Sequence, residues 1–175
     1  MMAIETLALR TLLTVARQRD GLDETRCRMV LEFLDAAALV DGVLQRTLTE
    51  LGLTEHKFSI LVALFALDPA AATPADLSVH TDVTRSAMTA LLDALETQGL
   101  VARRRDTRDR RVVYVGLTDA GRVAANAALM DYLRTADKLA QGVPPANQTT
   151  LRQSCAFLHE SAGQFQPAPA SPISP

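Results

Sequence analysis

The sequence predicts a mainly α-helical chain carrying one small β-hairpin. Three observations predict it. Apolar residues recur at helical spacing through most of the chain. Between residues 100 and 117 that period gives way to two short β-branched runs around a cluster of arginines. The composition is rich in Ala and Leu, with 4% aromatics and no Trp, which favours helix over sheet.

The elements follow in order. Ile4, Ala8, Leu12 and Val15 make one apolar face of a first helix ending near Arg17, with Asp20, Gly21 and Asp23 as its punctuation. A long second helix runs from about Glu24 to Leu51, with apolar positions at Val30, Phe33, Leu34, Ala37, Val40, Leu44 and Leu48 and a stop at Gly52. That stripe is broad enough to need two different covering partners. Thr54 caps a third helix, with Lys57 in place of Glu at the capping-box position; Phe58, Leu61, Val62 and Phe65 form its buried face, and Asp68 and Pro69 end it. Thr73 then caps a short helix with Pro74 at its first position, near Pro74 to His80. From Thr84 to about Gln98, Met88, Leu91, Leu92 and Leu95 form a clean apolar stripe, and Gly99 is the C-cap. Leu100, Val101 and Ala102 begin a strand, RRRDTRDRR makes a charged tip, and VVYVGL returns as a second strand. Thr118 caps a helix to about Ala140, with Ala120, Val123, Ala124, Ala127, Leu129, Met130 and Leu133 as its apolar positions. Gly142, Pro144 and Pro145 break it, and a last helix from about Ala146 to Gly163 is expected to bury Leu151, Cys155 and Leu158. The Pro-rich end, QPAPASPISP, reads as disordered.

The bulk numbers set limits. A chain of 175 residues can bury a core without metals or disulfides. A formal charge of −2 argues against a nonspecific polyanion binder, although the distribution of charge matters more than its sum. Cys27 and Cys155 lie far apart with no CxxC spacing, which indicates neither a zinc site nor a disulfide framework. His56, His80 and His159 are scattered, so no metal site is expected. The start, MMAIETLALR, lacks the layout of a signal peptide, and the apolar stretch from Ile60 to Leu67 is too short to cross a bilayer. The expectation is a soluble cytoplasmic protein without cofactor. No Gly-rich phosphate loop, G-x-S-x-G or HExxH is present, so no enzymatic activity or catalytic residue is expected.

One constellation stands out. Helix, short helix, helix and charged hairpin follow one another within residues 54–118. The middle pair reads as a helix-turn-helix whose second helix can enter a DNA major groove, led by Thr84, Arg85, Ser86 and Thr89. Alone, these residues better describe an ordinary solvated helix face, because exposed polar faces are common. The hairpin adds Arg103, Arg104, Arg105, Arg108, Arg110 and Arg111, six of the 18 basic residues in an acidic chain. An Arg at a β tip suits the negative potential of a narrow minor groove, and its neighbours suit phosphates. Asp106 and Asp109 are placed to hold neighbouring guanidiniums. The alternatives are a solubilising hairpin or one that serves an acidic protein partner.

The stretch TRSAMTALLDALETQGLVARRRDTRDRRVVYVGLTDAG resembles the MarR family of bacterial regulators, named for multiple antibiotic resistance, within a resemblance over about residues 30–140. The family's L-E-x-x-G-L-V is met by Leu95, Glu96, Gly99, Leu100 and Val101, its wing D-x-R by Asp109 and Arg111, and its L-T-x-x-G by Leu117, Thr118 and Gly121. Lys57 and Phe58 stand where the family often has Gln, and Ala90 stands where many members carry Arg or Lys. The resemblance implies that Arg111 enters the minor groove, that Asp109 orients it, and that Arg85, Ser86 and Thr89 face the major groove. It also implies a homodimer on double-stranded DNA at a pseudo-palindromic operator. The organisation expected is dimerisation helices over 1–52, a winged helix-turn-helix over 53–118, further dimerisation helices over 119–165 and a tail over 166–175. Apolar helices outside the DNA-reading unit fit that arrangement, because a lone chain would leave them exposed.

Many members of the family release DNA when a small aromatic acid or phenol enters a cleft beside the dimer helices. Arg46 and His56 flank the corresponding junction and are candidate ligand residues, against the plain alternative that both are simply exposed. Some members sense oxidants through a Cys near the start of the long helix; the resemblance makes Cys27, in about that place between Arg26 and Arg28, a candidate redox residue. Cys155 sits on an apolar stripe and reads as core. The expectation is therefore a ligand-released repressor. The alternatives are a redox-responsive regulator, a winged-helix module working through a protein partner, and a helical dimer that binds or transforms small molecules.

Overall fold

A computed structural model describes residues 6–81 and 83–165. The elements are α1 (Leu7–Gln18), α2 (Glu24–Glu50), α3 (Glu55–Leu67), α4 (Pro74–His80), α5 (Arg85–Thr97), β1 (Val101–Arg105), β2 (Val113–Leu117), α6 (Asp119–Ala140) and α7 (Pro145–Gln164). Ile4 and the tail at 166–175 lie outside the described residues. None of the described helices is long and apolar enough to cross a membrane. The chain divides into two compact units, Met1–Ala136 and Asp137–Pro175.

Side-chain oxygens start the helices. Thr6, Asp23, Thr54, Thr73 and Thr84 each accept a first-turn amide that the helix itself leaves unpaired. At Thr73 the bond is reciprocal, because Asp76 accepts from the Thr73 amide at 3.0 Å; at Thr54, Lys57 has no carboxylate to return. Gly52 and Gly99 lie in the left-handed region, at φ 71° each, just past α2 and α5, where a side chain would be strained.

The core of the larger unit joins Leu48 of α2 and Leu53 of the following turn to Ile60, Leu61 and Leu64 of α3, Leu77 of α4, Met88, Leu92 and Leu95 of α5, Val101, Val115 and Leu117 of the hairpin, and Ala125 and Ala128 of α6. The strands pair antiparallel with Arg103 opposite Val115 and Val101 opposite Leu117. Ala72, between α3 and α4, exchanges both backbone hydrogen bonds with Val115, at 3.0 and 2.8 Å. The root of the hairpin is thereby fixed to the helical layer.

The stripes expected to be buried differ from those that are. On α1 the protected residues are Leu13 and Ala16, while Ala8, Leu12 and Val15 are exposed. The helix folds back on its own α2 through the Leu13 side, and the stripe read from the sequence faces outward. On α2 only Leu48 is buried; Val30, Leu34, Ala37 and Val40 are exposed. On α6 the core takes Ala125 and Ala128, while Val123, Ala127, Met130 and Leu133 are exposed. Small residues let this helix approach its neighbours closely, so the larger apolar side chains lie on the other faces. In α7 no residue is buried; Leu151 is exposed and Cys155 and Leu158 are half-buried, so neither the expected buried face nor a core Cys155 is found within one chain.

Arg17 ties α1 to α2. Its Nε and Nη2 donate to the two carboxylate oxygens of Glu24, both at 2.8 Å, and Arg28 donates to Glu24 and Glu32 at 3.3 Å. The Arg17 hydrogen bonds, joined by those of Arg28, pull the Glu24 carboxyl down to about 2. A lowered carboxyl pKa stabilises the fold above the ordinary carboxylate range, and that contribution is lost as pH falls through about 2. Thermal melts of Glu24→Gln should therefore lie below wild type at neutral pH, with the gap closing towards pH 2. A gap that persists unchanged into that range contradicts the tie.

Candidate nucleic-acid interface

α4 and α5 meet at a pinned turn. Thr81, the one buried polar residue among those described, donates its hydroxyl to the Leu77 carbonyl at 2.8 Å, and Val83 turns inward. α5 then buries Met88, Leu92 and Leu95, as their i, i+4, i+7 spacing dictates, with Leu91 packed at the core's edge. The opposite side is left to solvent: Arg85, Ser86, Thr89 and Ala90 are all exposed. Arg85 and Thr89 stand one turn apart and Ser86 lies beside them, so the structure does bring these candidates onto one accessible face. Thr84, also exposed, is the N-cap of the helix. Its hydroxyl accepts the Ala87 amide at 3.3 Å and lies 3.1 Å from the Ser86 hydroxyl. It thus sits on the same exposed face as Ser86 while capping the helix.

The wing tip is built by two carboxylates. Asp106 accepts from the amides of Arg108 at 2.7 Å and Asp109 at 2.8 Å, and its own amide donates to the Val112 carbonyl at 2.9 Å. Asp106 thus holds backbone rather than the guanidinium expected of it. Asp109 holds a guanidinium as expected: Arg111 Nε and Nη2 donate to its two oxygens at 3.0 Å each, and the Arg111 amide adds a third bond at 3.0 Å. These bonds hold the Asp109 carboxyl below the usual carboxylate range, the guanidinium contributing most. The Asp106 carboxyl is lowered by the two amides that it accepts. The Arg111 side chain stays 91% exposed. The wing therefore presents an oriented cation at its tip, with Arg104, Arg105, Arg108 and Arg110 also exposed along the hairpin.

Arg103 is the exception among the wing arginines. It is half-buried, and its Nη1 lies between Asp93 Oδ1 at 2.5 Å and Glu96 Oε2 at 2.8 Å, both on α5. Its amide donates to the other Glu96 oxygen at 3.2 Å. In sequence it belongs to the arginine cluster of the wing, and the fold ties it to α5 instead. The available signal was two acids at i, i+3 on the helix that precedes an arginine-rich strand.

Two further positions support the wing from behind. Thr118 donates its hydroxyl to the Gly99 carbonyl at 2.7 Å and accepts from the Gly121 amide at 2.9 Å, pinning the start of α6 to the start of β1. Arg122, missed in the sequence, donates to Asp68 at 2.6 Å, to Asp119 at 2.8 Å and to the Leu117 carbonyl at 3.4 Å, and so joins the end of α3 to the end of β2.

The ligand and redox candidates gather less. Arg46 and His56 are both exposed, and neither lines the cavity of about 340 Å³ formed by Ser59, Val62, Ala63, Ala66 and Leu67 of α3 and His80 of α4. Cys27 is half-buried, but the guanidiniums expected to activate it are engaged elsewhere, Arg26 with Asp23 and Arg28 with Glu24 and Glu32.

Comparison with known proteins gives a consistent result. The model of the MarR family matches residues 51–112. The HTH-type transcriptional repressor YetL of Bacillus subtilis (strain 168) is 32% identical over 102 residues, covering 58% of this chain and 61% of that protein. The match thus spans less than two thirds of the relative's length. Among solved structures, the transcriptional repressor CouR bound to a 23-mer DNA duplex is 27% identical, with a TM-score of 0.63 over 73% of this chain and 89% of its own. BpsR of Bordetella bronchiseptica, a protein whose DNA binding is regulated by 6-hydroxynicotinic acid, shares the fold at 23% identity, with a TM-score of 0.60 over 77% of this chain and 91% of its own.

Proposed function

We propose that this chain, whose residues 51–112 are a MarR-family winged helix-turn-helix, is a sequence-specific DNA-binding transcriptional regulator rather than an enzyme. The observation that carries this reading is the wing tip. Asp109 grips Arg111 in a bidentate ion pair and leaves the rest of the guanidinium open, on the same unit that exposes Arg85, Ser86 and Thr89 of α5. The hydroxyls and guanidinium of α5 suit base edges and phosphates of a major groove, while a fixed cation on a thin hairpin suits the adjacent minor groove. The DNA-bound relative CouR supports the same use of the fold.

The protein acts as a homodimer on a pseudo-palindromic operator. Support comes from the apolar side chains left open on α1, α2 and α6, among them Leu12, Leu34, Leu39 and Leu133, which a second chain would cover. It works as a repressor released by a small aromatic acid or phenol. BpsR, regulated by an aromatic acid on the same fold, motivates this effector class, and Arg46 and His56 are the candidate ligand residues. Isothermal titration with salicylate and 6-hydroxynicotinate tests it: binding should release DNA and weaken at least about tenfold in Arg46→Ala, the scale of a lost charge-assisted pair. Equal affinity for wild type and variant removes Arg46 from the site, and no binding or release by either acid removes the effector class. Control by oxidation of Cys27 is the alternative, and the pairing of Arg26 and Arg28 with carboxylates weighs against it. Peroxide treatment should leave DNA affinity intact.

A further inference from the structure

We propose that Arg103, Asp93 and Glu96 form a positioning clamp that fixes the angle between the recognition helix and the wing, so that α5 and Arg111 reach their grooves together. This rests on the DNA-binding reading above and deepens it. The clamp sits near the root of the wing, on the strand that carries its charged tip. β1 leaves α5 through Gly99 and enters the core at Val101, while the tip bearing Arg111 extends beyond Arg105. Arg103 lies midway along β1, and its side chain shares the sheet face of buried Val115 and runs over α5. There a single Nη1 bridges Asp93 and Glu96, Nη2 lies 3.5 Å from the Thr89 carbonyl, and the Arg103 amide donates to Glu96.

The chemistry suits orientation better than stability. Ion pairs this open to solvent add little to the folding free energy. A planar guanidinium held by two carboxylates one turn apart, with its own backbone amide tied to one of them, has one direction open to it. The core residues that keep the hairpin folded, Val101, Val115 and Leu117, do not depend on this contact. Loss of the clamp should therefore leave the fold and loosen the wing. Arg103 also covers two negative charges on a helix that is to meet phosphates, so simple neutralisation is the competing explanation, and the test separates the two.

Backbone ¹⁵N order parameters give a readout independent of DNA. In Arg103→Ala, and in Asp93→Asn/Glu96→Gln should the first variant fold poorly, amides of residues 104–112 should become more mobile while those of α3 and α6 keep their values. On DNA from the protein's own upstream region, Arg103→Ala should bind about tenfold more weakly, the scale of a typical coupling between contacting sites. The triple variant Asp93→Asn/Glu96→Gln/Arg103→Ala should stay weak. Arg103→Ala/Arg111→Ala should bind no worse than Arg111→Ala alone, because the clamp acts through Arg111. An unchanged wing order parameter overturns the clamp, and so does recovery of wild-type affinity in the triple variant, which would leave only charge neutralisation. If wild type binds no DNA at all, the functional reading fails, and the order parameters alone decide the clamp.

Discussion

Arg111→Ala is expected to lower operator affinity on the order of a hundredfold, while the melting temperature stays at the wild-type value. The side chain is 91% exposed and its only partner among the described residues is Asp109, so its removal reaches no part of the core. A lost groove arginine costs about 1–3 kcal/mol, and the dimer proposed above would lose one on each half-site. Part of the loss is sequence-independent, so the salt dependence should flatten by about one counterion per arginine removed. Asp109→Asn should fall between wild type and Arg111→Ala. It keeps an acceptor for the Arg111 amide but loses the charged, two-oxygen grip on the guanidinium. Fluorescence anisotropy on labelled operator DNA measures both. Wild-type affinity in Arg111→Ala contradicts the role assigned to the wing.

The second large effect concerns folding. Gly121→Ala should destabilise the winged unit by on the order of 3 kcal/mol, the upper end for an overpacked site, and lower its melting temperature by roughly 10 °C. A Cβ at Gly121 would lie 1.8 Å from the Leu100 carbonyl oxygen and 2.8 Å from its carbon. Both are backbone atoms of the segment that enters β1, and the Thr118 amide donates to that same carbonyl at 3.1 Å. No side chain can rotate away to make room, so α6 must lift from the hairpin. Gly163→Ala is the control, because nothing lies within 4 Å of its built Cβ and it sits near the end of α7. A Gly121→Ala protein that melts with wild type would show that α6 and the hairpin are less tightly joined than the structure has them.

Much of this was legible in the sequence where local chemistry decides the outcome. Thr73 with Pro74 marked α4 to its first residue, and Gly99 marked the end of α5. The apolar stripe of α5 was correct because that helix packs against a single core on one side. The Asp109–Arg111 pair was readable because two residues at i, i+2 on a tight tip have little else within reach. Reading failed where apolar residues outnumber the core that one chain provides. On α1, α2 and α6 the sequence offers several apolar stripes, and periodicity alone does not tell which faces inward: Leu13 and Ala16 won over Leu12 and Val15, and Ala125 and Ala128 over Val123 and Leu133. Long-range pairing was the other blind spot. Arg103 with Asp93 and Glu96, and Arg122 with Asp68, join residues that only the tertiary fold brings together, so spacing in the sequence does not reveal these pairs.

Reading of DNA by α5 and the wing together is tested by a mobility shift of the purified protein on its own upstream intergenic DNA across a salt series. A discrete complex is expected on that DNA, with an affinity that falls steeply and log-linearly with salt and exceeds that for unrelated duplex of the same length by at least about a thousandfold. Binding that is equal on both duplexes, or that ignores salt, would contradict it.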